Sequence, residues 1–210
     1  MGAVIFRLCV LSFLCWSAGS AQGARDEWKQ LGKPFDLEAH LTHSLSNAPL
    51  TAAERSQIYR LIDDKTIHDS FTDEQRGKER ETVLSARVGL IMLADHGSEQ
   101  VVVQGPALFC GANGNCSIRI FTRESGRLRL VLETGGGIFI VSKTSSRGFH
   151  DLATGWHMGG REERFGVYRW DGSKYTESDC YDTQFDVDDP EKPPKIEDCP
   201  GRPPQTSPQR

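Results

Sequence analysis

The chain has 210 residues, with 25 Lys and Arg against 29 Asp and Glu and a formal net charge of −4. That length suits one domain with appendages and is long enough to bury a core without help. The mild acidity, with no basic block of five or six residues, argues against a nucleic-acid partner. The 21 glycines suit a turn-rich β protein better than a helical bundle.

Residues 1–21 read as a secretory signal peptide. Arg7 supplies the early positive charge, Leu8 to Trp16 is a mostly apolar run, and Gly19-Ser20-Ala21 offers small residues for cleavage. Nine apolar-run residues fall short of the roughly 20 that span a bilayer, so no membrane span is expected after cleavage. The predicted location is periplasmic or secreted.

Cleavage removes Cys9 and Cys15 and leaves Cys110, Cys116, Cys180 and Cys199. In an exported chain four cysteines suggest two disulfides. The local pairs, Cys110–Cys116 and Cys180–Cys199, are expected. The residues Gly111, Ala112, Asn113, Gly114 and Asn115 can turn tightly enough to join the first pair. A zinc site is disfavoured, because that gap is wider than usual and no second pair matches it. No metal or cofactor is expected.

Short helices should come first, over about 35–83. Phe35 to Leu45 suits a short helix. Thr51 and Glu54 form a capping box, and Ile58, Leu61 and Ile62 fall on one face at helical spacing. A second, more exposed helix is predicted from Thr72 to about Thr82. Strands should follow over about 87–182. Val101, Val102 and Val103 suggest a buried strand. Hairpins are predicted at 118–132 and 165–176, the second turning at Asp171-Gly172. Gly135-Gly136-Gly137 reads as a bend. Residues 186–210 are acidic and Pro-rich and read as a disordered tail. The expected fold class is therefore α+β, a single domain over 22–185. Its short N-terminal helices would pack on an antiparallel β-meander of hairpins.

The two halves share a pattern. Gly97, then Ile118-Arg119-Ile120-Phe121-Thr122-Arg123, then Gly126, parallels Gly148, then Phe165-Gly166-Val167-Tyr168-Arg169-Trp170, then Gly172. The pattern suggests a duplicated unit whose second copy lacks the cysteine loop. Over roughly Leu90 to Tyr181 the chain resembles uncharacterised exported bacterial proteins carrying a Cys-Gly-x-x-Gly-Asn-Cys loop. Their strands are similar to blades of FG-GAP or VCBS-type β-propellers. The resemblance implies a β fold and export, and no activity. Complete blades of that type hold an Asp-rich calcium loop. Asp95-His96-Gly97-Ser98-Glu99 and Phe149-His150-Asp151 have too few carboxylates for the six to eight oxygens calcium takes.

His150, Asp151, Trp156 and His157 form the most suggestive chemical cluster. On one strand, however, residues 150 and 157 lie roughly 23 Å apart, and successive side chains face opposite ways. Gly155 would have to bend the strand to bring them together. Without that bend, His150 and Asp151 would pin a turn and Trp156 would pack on the core. His40 and His43 read as an exposed helix face. No Gly-x-Ser-x-Gly elbow, His-Glu-x-x-His or phosphate loop is present. Tyr168 and Trp170 share one strand face; pointing outward they would form a recognition surface, and the favoured alternative is a second packed layer against the N-terminal helices. The leading expectation is an exported, monomeric, non-catalytic module, inhibitor-like in size and compartment, that binds a protein or glycan of the cell envelope. Its surface would comprise Asn113 and Asn115 of the cysteine loop together with Tyr168 and Trp170, with His150, Asp151, Trp156 and His157 as further candidates. The alternative is a hydrolase using His150, Asp151 and His157.

Overall fold

The computed structural model describes residues 35–62, 76–97, 99–186, 188–189, 192 and 194–200. The proposed signal peptide and the Thr72 cap lie outside them. Three short α-helices are described: α1 (Leu37–His40), α2 (Ala52–Ile62) and α3 (Glu79–Leu84). The strands are β1 (His43–Ser44), β2 (Arg87–Ile91), β3 (Gln100–Gln104), β4 (Cys116–Glu124), β5 (Arg127–Gly136), β6 (Ile138–Ser146), β7 (Phe149–Gly159), β8 (Glu162–Trp170), β9 (Tyr175–Gln184) and β10 (Lys195–Asp198). Among the described residues no helix is long and apolar enough to cross a membrane.

The strands form two antiparallel five-stranded sheets, ordered β1-β2-β3-β4-β5 and β10-β9-β8-β7-β6. The second sheet is the main departure from the expected single meander under helices. The valine run shows why two layers are needed. Val101 and Val103 pack with Ile58, Ile62 and Val83 of the helices, whereas Val102 joins Phe139, Leu152, Tyr168 and Trp170 of the second sheet. A strand buried on both faces has no polar alternation to display.

The Thr51 capping box forms as the sequence requires. Glu54 N–H donates to Thr51 Oγ1 at 3.1 Å, and Thr51 N–H donates to Glu54 Oε2 at 2.8 Å. Ile58 and Ile62 are fully buried, but Leu61 is 38% exposed, so the apolar stripe is narrower than expected. The first helix is also shorter than predicted: α1 ends at His40, and the next residues form β1 against β2. Between Arg76 and Leu84 the chain makes a 3-10 turn (Arg76–Lys78) followed by α3.

Both predicted hairpins are present, as β4–β5 and β8–β9. Asp171 shapes the second turn. Its Oδ1 accepts from Ser173 N–H at 2.7 Å and Lys174 N–H at 2.9 Å. These bonds hold its carboxyl down at about 2. Within the 186–210 segment, expected to be a disordered tail tied back at Cys199, Lys195–Asp198 instead pair as β10 with Tyr181–Gln184. The Cys180–Cys199 disulfide brings that segment back to the sheet.

The outward-facing reading of Tyr168 and Trp170 is corrected: they take the packed alternative, with the first sheet as the main covering layer in place of the helices. Both are core residues between the sheets. Trp170 stacks on Phe149 with ring centroids 4.1 Å apart, and Tyr168 Oη lies 2.8 Å from Thr134 Oγ1. The sequence pattern placed both on one face but could not say which face a second sheet would cover.

Candidate recognition surface

The Gly135-Gly136-Gly137 triplet carries the chain from the first sheet to the second. A methyl group at Gly136 would lie 2.4 Å from the Gly155 carbonyl oxygen, and Gly136 has φ 134°. Only glycine suits such a crossing. The flanking glycines seat two neighbours on β7. A methyl at Gly135 would lie 3.1 Å from the Trp156 indole, and one at Gly137 would lie 3.0 Å from the His157 ring. Trp156 and His157 therefore occupy opposite faces of β7, as strand alternation requires.

β6 begins at Ile138, opposite Gly155, so the end of β7 runs past its neighbour. The cysteine loop takes the missing strand's place. His157 N–H donates to Asn115 Oδ1 at 3.0 Å, and Asn115 Nδ2 donates to the His157 carbonyl at 2.9 Å. Asn113 Nδ2 adds a third contact to the same carbonyl at 3.3 Å. The Cys110–Cys116 disulfide, with Cα atoms 4.2 Å apart, closes this loop. Both cysteine pairings therefore agree with the sequence expectation.

The β7–β8 hairpin turns at Gly160-Arg161, and Gly159 and Gly160 both have positive φ. An open cleft of about 420 Å³ lies beside it, bordered by Asn113, His157, Arg161, Glu162, Glu163 and Phe185. His157 Nδ1 sits 3.1 Å from Glu163 Oε1. Burial pushes the Glu163 carboxyl above its ordinary value, while His157 pulls it the other way. Trp156, Met158 and Phe185 are the exposed large apolar side chains here, at 39%, 52% and 41%.

The proposed His150/Asp151/His157 cluster is not assembled. β7 runs from Phe149 to Gly159 without a bend at Gly155, so His150 and His157 stand near opposite ends. Their separation stays at the roughly 23 Å of an extended strand. At the His150 end the contacts are structural. His150 N–H donates to Leu93 O at 2.7 Å, and Tyr175 Oη–H donates to His150 O at 2.9 Å. Asp151 is buried, accepts from Thr144 Oγ1 at 3.0 Å and lies 3.9 Å from Arg169 Nε. His40 lies in α1 and His43 in β1, so they do not share a helix face. Among the described residues no three His, Cys, Asp or Glu side chains are grouped to hold a metal.

Four of the eight candidate residues meet at one end of the second sheet: Asn113, Asn115, Trp156 and His157. Met158, Glu163 and Phe185 complete that end and were not singled out from the sequence. A signal for Met158 and Glu163 was available, since Gly159-Gly160 between Trp156-x-Met158 and Glu162-Glu163 is a hairpin pattern. Phe185 sits after β9, and nothing local marks its approach to the cleft. No protein-family model, curated protein or solved structure matches the chain.

Proposed function

We propose that this is an exported, non-catalytic binding module that engages a protein or glycan of the cell envelope at the β7–β8 tip. The observation that carries the reading is the double hydrogen bond from Asn115 to the His157 backbone. It fixes a disulfide-closed loop beside an exposed tryptophan. A rigid loop loses little conformational entropy on binding, and Trp and Met are enriched in recognition surfaces. The two disulfides favour an exported location. An inhibitor-like role is one form of this reading.

The fold also supports a duplication. β2–β5 and β6–β9 are both four-stranded antiparallel meanders, as propeller blades are. The glycines at corresponding turns, Gly97 with Gly148 and Gly126 with Gly172, all have positive φ. The cysteine loop lies between β3 and β4, where the second unit has only the short β7–β8 turn. On this reading the loop is an insertion into one copy of a repeated scaffold.

Affinity capture from an envelope extract tests the binding role. The mature protein should retain a partner that Trp156→Ala loses, while exposed Leu61→Ala, on the far helical layer, retains it. Equal capture by all three forms would remove the tip from the account.

A further inference from the structure

The chain has three asparagines: Asn47, Asn113 and Asn115. Their environments differ chemically. The Asn115 carboxamide is committed to both backbone groups of His157, and the next residue is Cys116. Asn47 Oδ1 accepts from Ser44 N–H at 2.9 Å and Ser44 Oγ–H at 3.1 Å, and the next residue is Ala48. Asn113 is exposed and precedes a glycine. Its carboxamide makes one long bond, at 3.3 Å to the His157 carbonyl. A methyl group at Gly114 would meet nothing within 4 Å, so the space beside its Cα is open.

We propose that Asn113 is a site of spontaneous deamidation, placed on the disulfide-closed loop at the edge of the His157 cleft. Hydroxide removes the Gly114 peptide proton, and the nitrogen forms a bond to Asn113 Cγ. The Cγ–Nδ2 bond breaks, and the nitrogen leaves as ammonia after taking a proton from water. Water then opens the resulting succinimide at either carbonyl, leaving aspartate or isoaspartate with no change of oxidation state. The Gly114 N–H donates to Gly111 O at 2.8 Å, so that turn must open before attack. Glycine's backbone freedom at φ 76° makes the opening accessible, and asparagine is a recognised thermolabile residue.

The product has lost the donor to His157. It places a new carboxylate against the His157 carbonyl, in a cleft that already holds Glu162 and Glu163. The modification does not depend on the proposed binding role, although any effect on a partner does.

The test is to age the intact, oxidised full chain at mildly alkaline pH and follow it by peptide mapping with isoaspartate detection. The expected result is exchange of a side-chain amide for a carboxyl at Asn113, with Asn47 and Asn115 unchanged, and slower exchange in Gly114→Ala. An Asn113 that stays intact while the reduced, unfolded chain deamidates there would overturn the proposal. Equal modification at Asn115, or an unchanged rate in Gly114→Ala, would also overturn it.

Discussion

The Asn115 side chain binds both backbone polar groups of His157, with N···O distances of 3.0 and 2.9 Å. One carboxamide thus does what a residue of a neighbouring strand would do. Asn115→Ala leaves the part-buried His157 N–H unpaired and its C=O with only the longer Asn113 contact, and a group left dry costs about 1–3 kcal/mol. The expected readout is faster exchange of the His157 amide hydrogen, with protection of β3 and β4 unchanged. Asn115→Asp keeps the acceptor and loses the donor, so its effect should be smaller.

The two tryptophans of the second sheet should separate by stability. Trp170 is buried and stacked on Phe149, so Trp170→Ala is expected to cost about 3–5 kcal/mol. Trp156 is partly exposed at the tip, and Trp156→Ala should cost about 1 kcal/mol or less. Urea unfolding of both variants measures the difference. Similar losses would mean that Trp156 is also a core residue.

Gly136→Ala should be more damaging than its size suggests. The new methyl would approach the Gly155 carbonyl oxygen at 2.4 Å, from a residue held at φ 134°. Left-handed strain alone costs on the order of 1–3 kcal/mol, and the clash adds to it. Gly114→Ala carries the strain without the clash, because its surroundings are open. Thermal melting should rank Gly136→Ala as the less stable of the two.

Glu54 links the start of α2 to β4, with its Oε1 2.8 Å from Arg123 Nε. Burial works to raise its carboxyl, but the Thr51 hydrogen bonds and Arg123 outweigh burial and hold it below the ordinary glutamate value. A carboxyl lowered by folding stabilises the folded state while ionised, and that contribution is lost as pH falls through the folded value. Wild type should therefore exceed Glu54→Gln by on the order of 1 kcal/mol at neutral pH. The difference should shrink in acid. A gap that widened in acid would contradict the assignment.

Local chemistry was readable in the residues. The Thr51-x-x-Glu54 capping box, the Asp171-Gly172 turn and the two cysteine pairings depend on near neighbours in sequence, and each is present. The second sheet was not readable in the same way. Tyr168-x-Trp170 alternates equally well whether its face meets solvent or another layer. Its true environment depends on Thr134 and Phe149, which lie 34 and 21 positions away. The tip was half legible for the same reason. The cysteine loop announces itself, but its docking on His157 spans 42 positions. The triple glycine suggested a bend, while its role as a seat for Trp156 and His157 needed three dimensions.

Hydrogen-exchange footprinting of the captured complex tests the central claim most directly. Bound partner should slow exchange at residues 111–117 and 156–163, the loop and the β7–β8 tip, and leave α2 and α3 unaffected. Slowed exchange confined to the helical layer, or spread evenly over the molecule, would contradict a recognition surface built around Asn115 and His157.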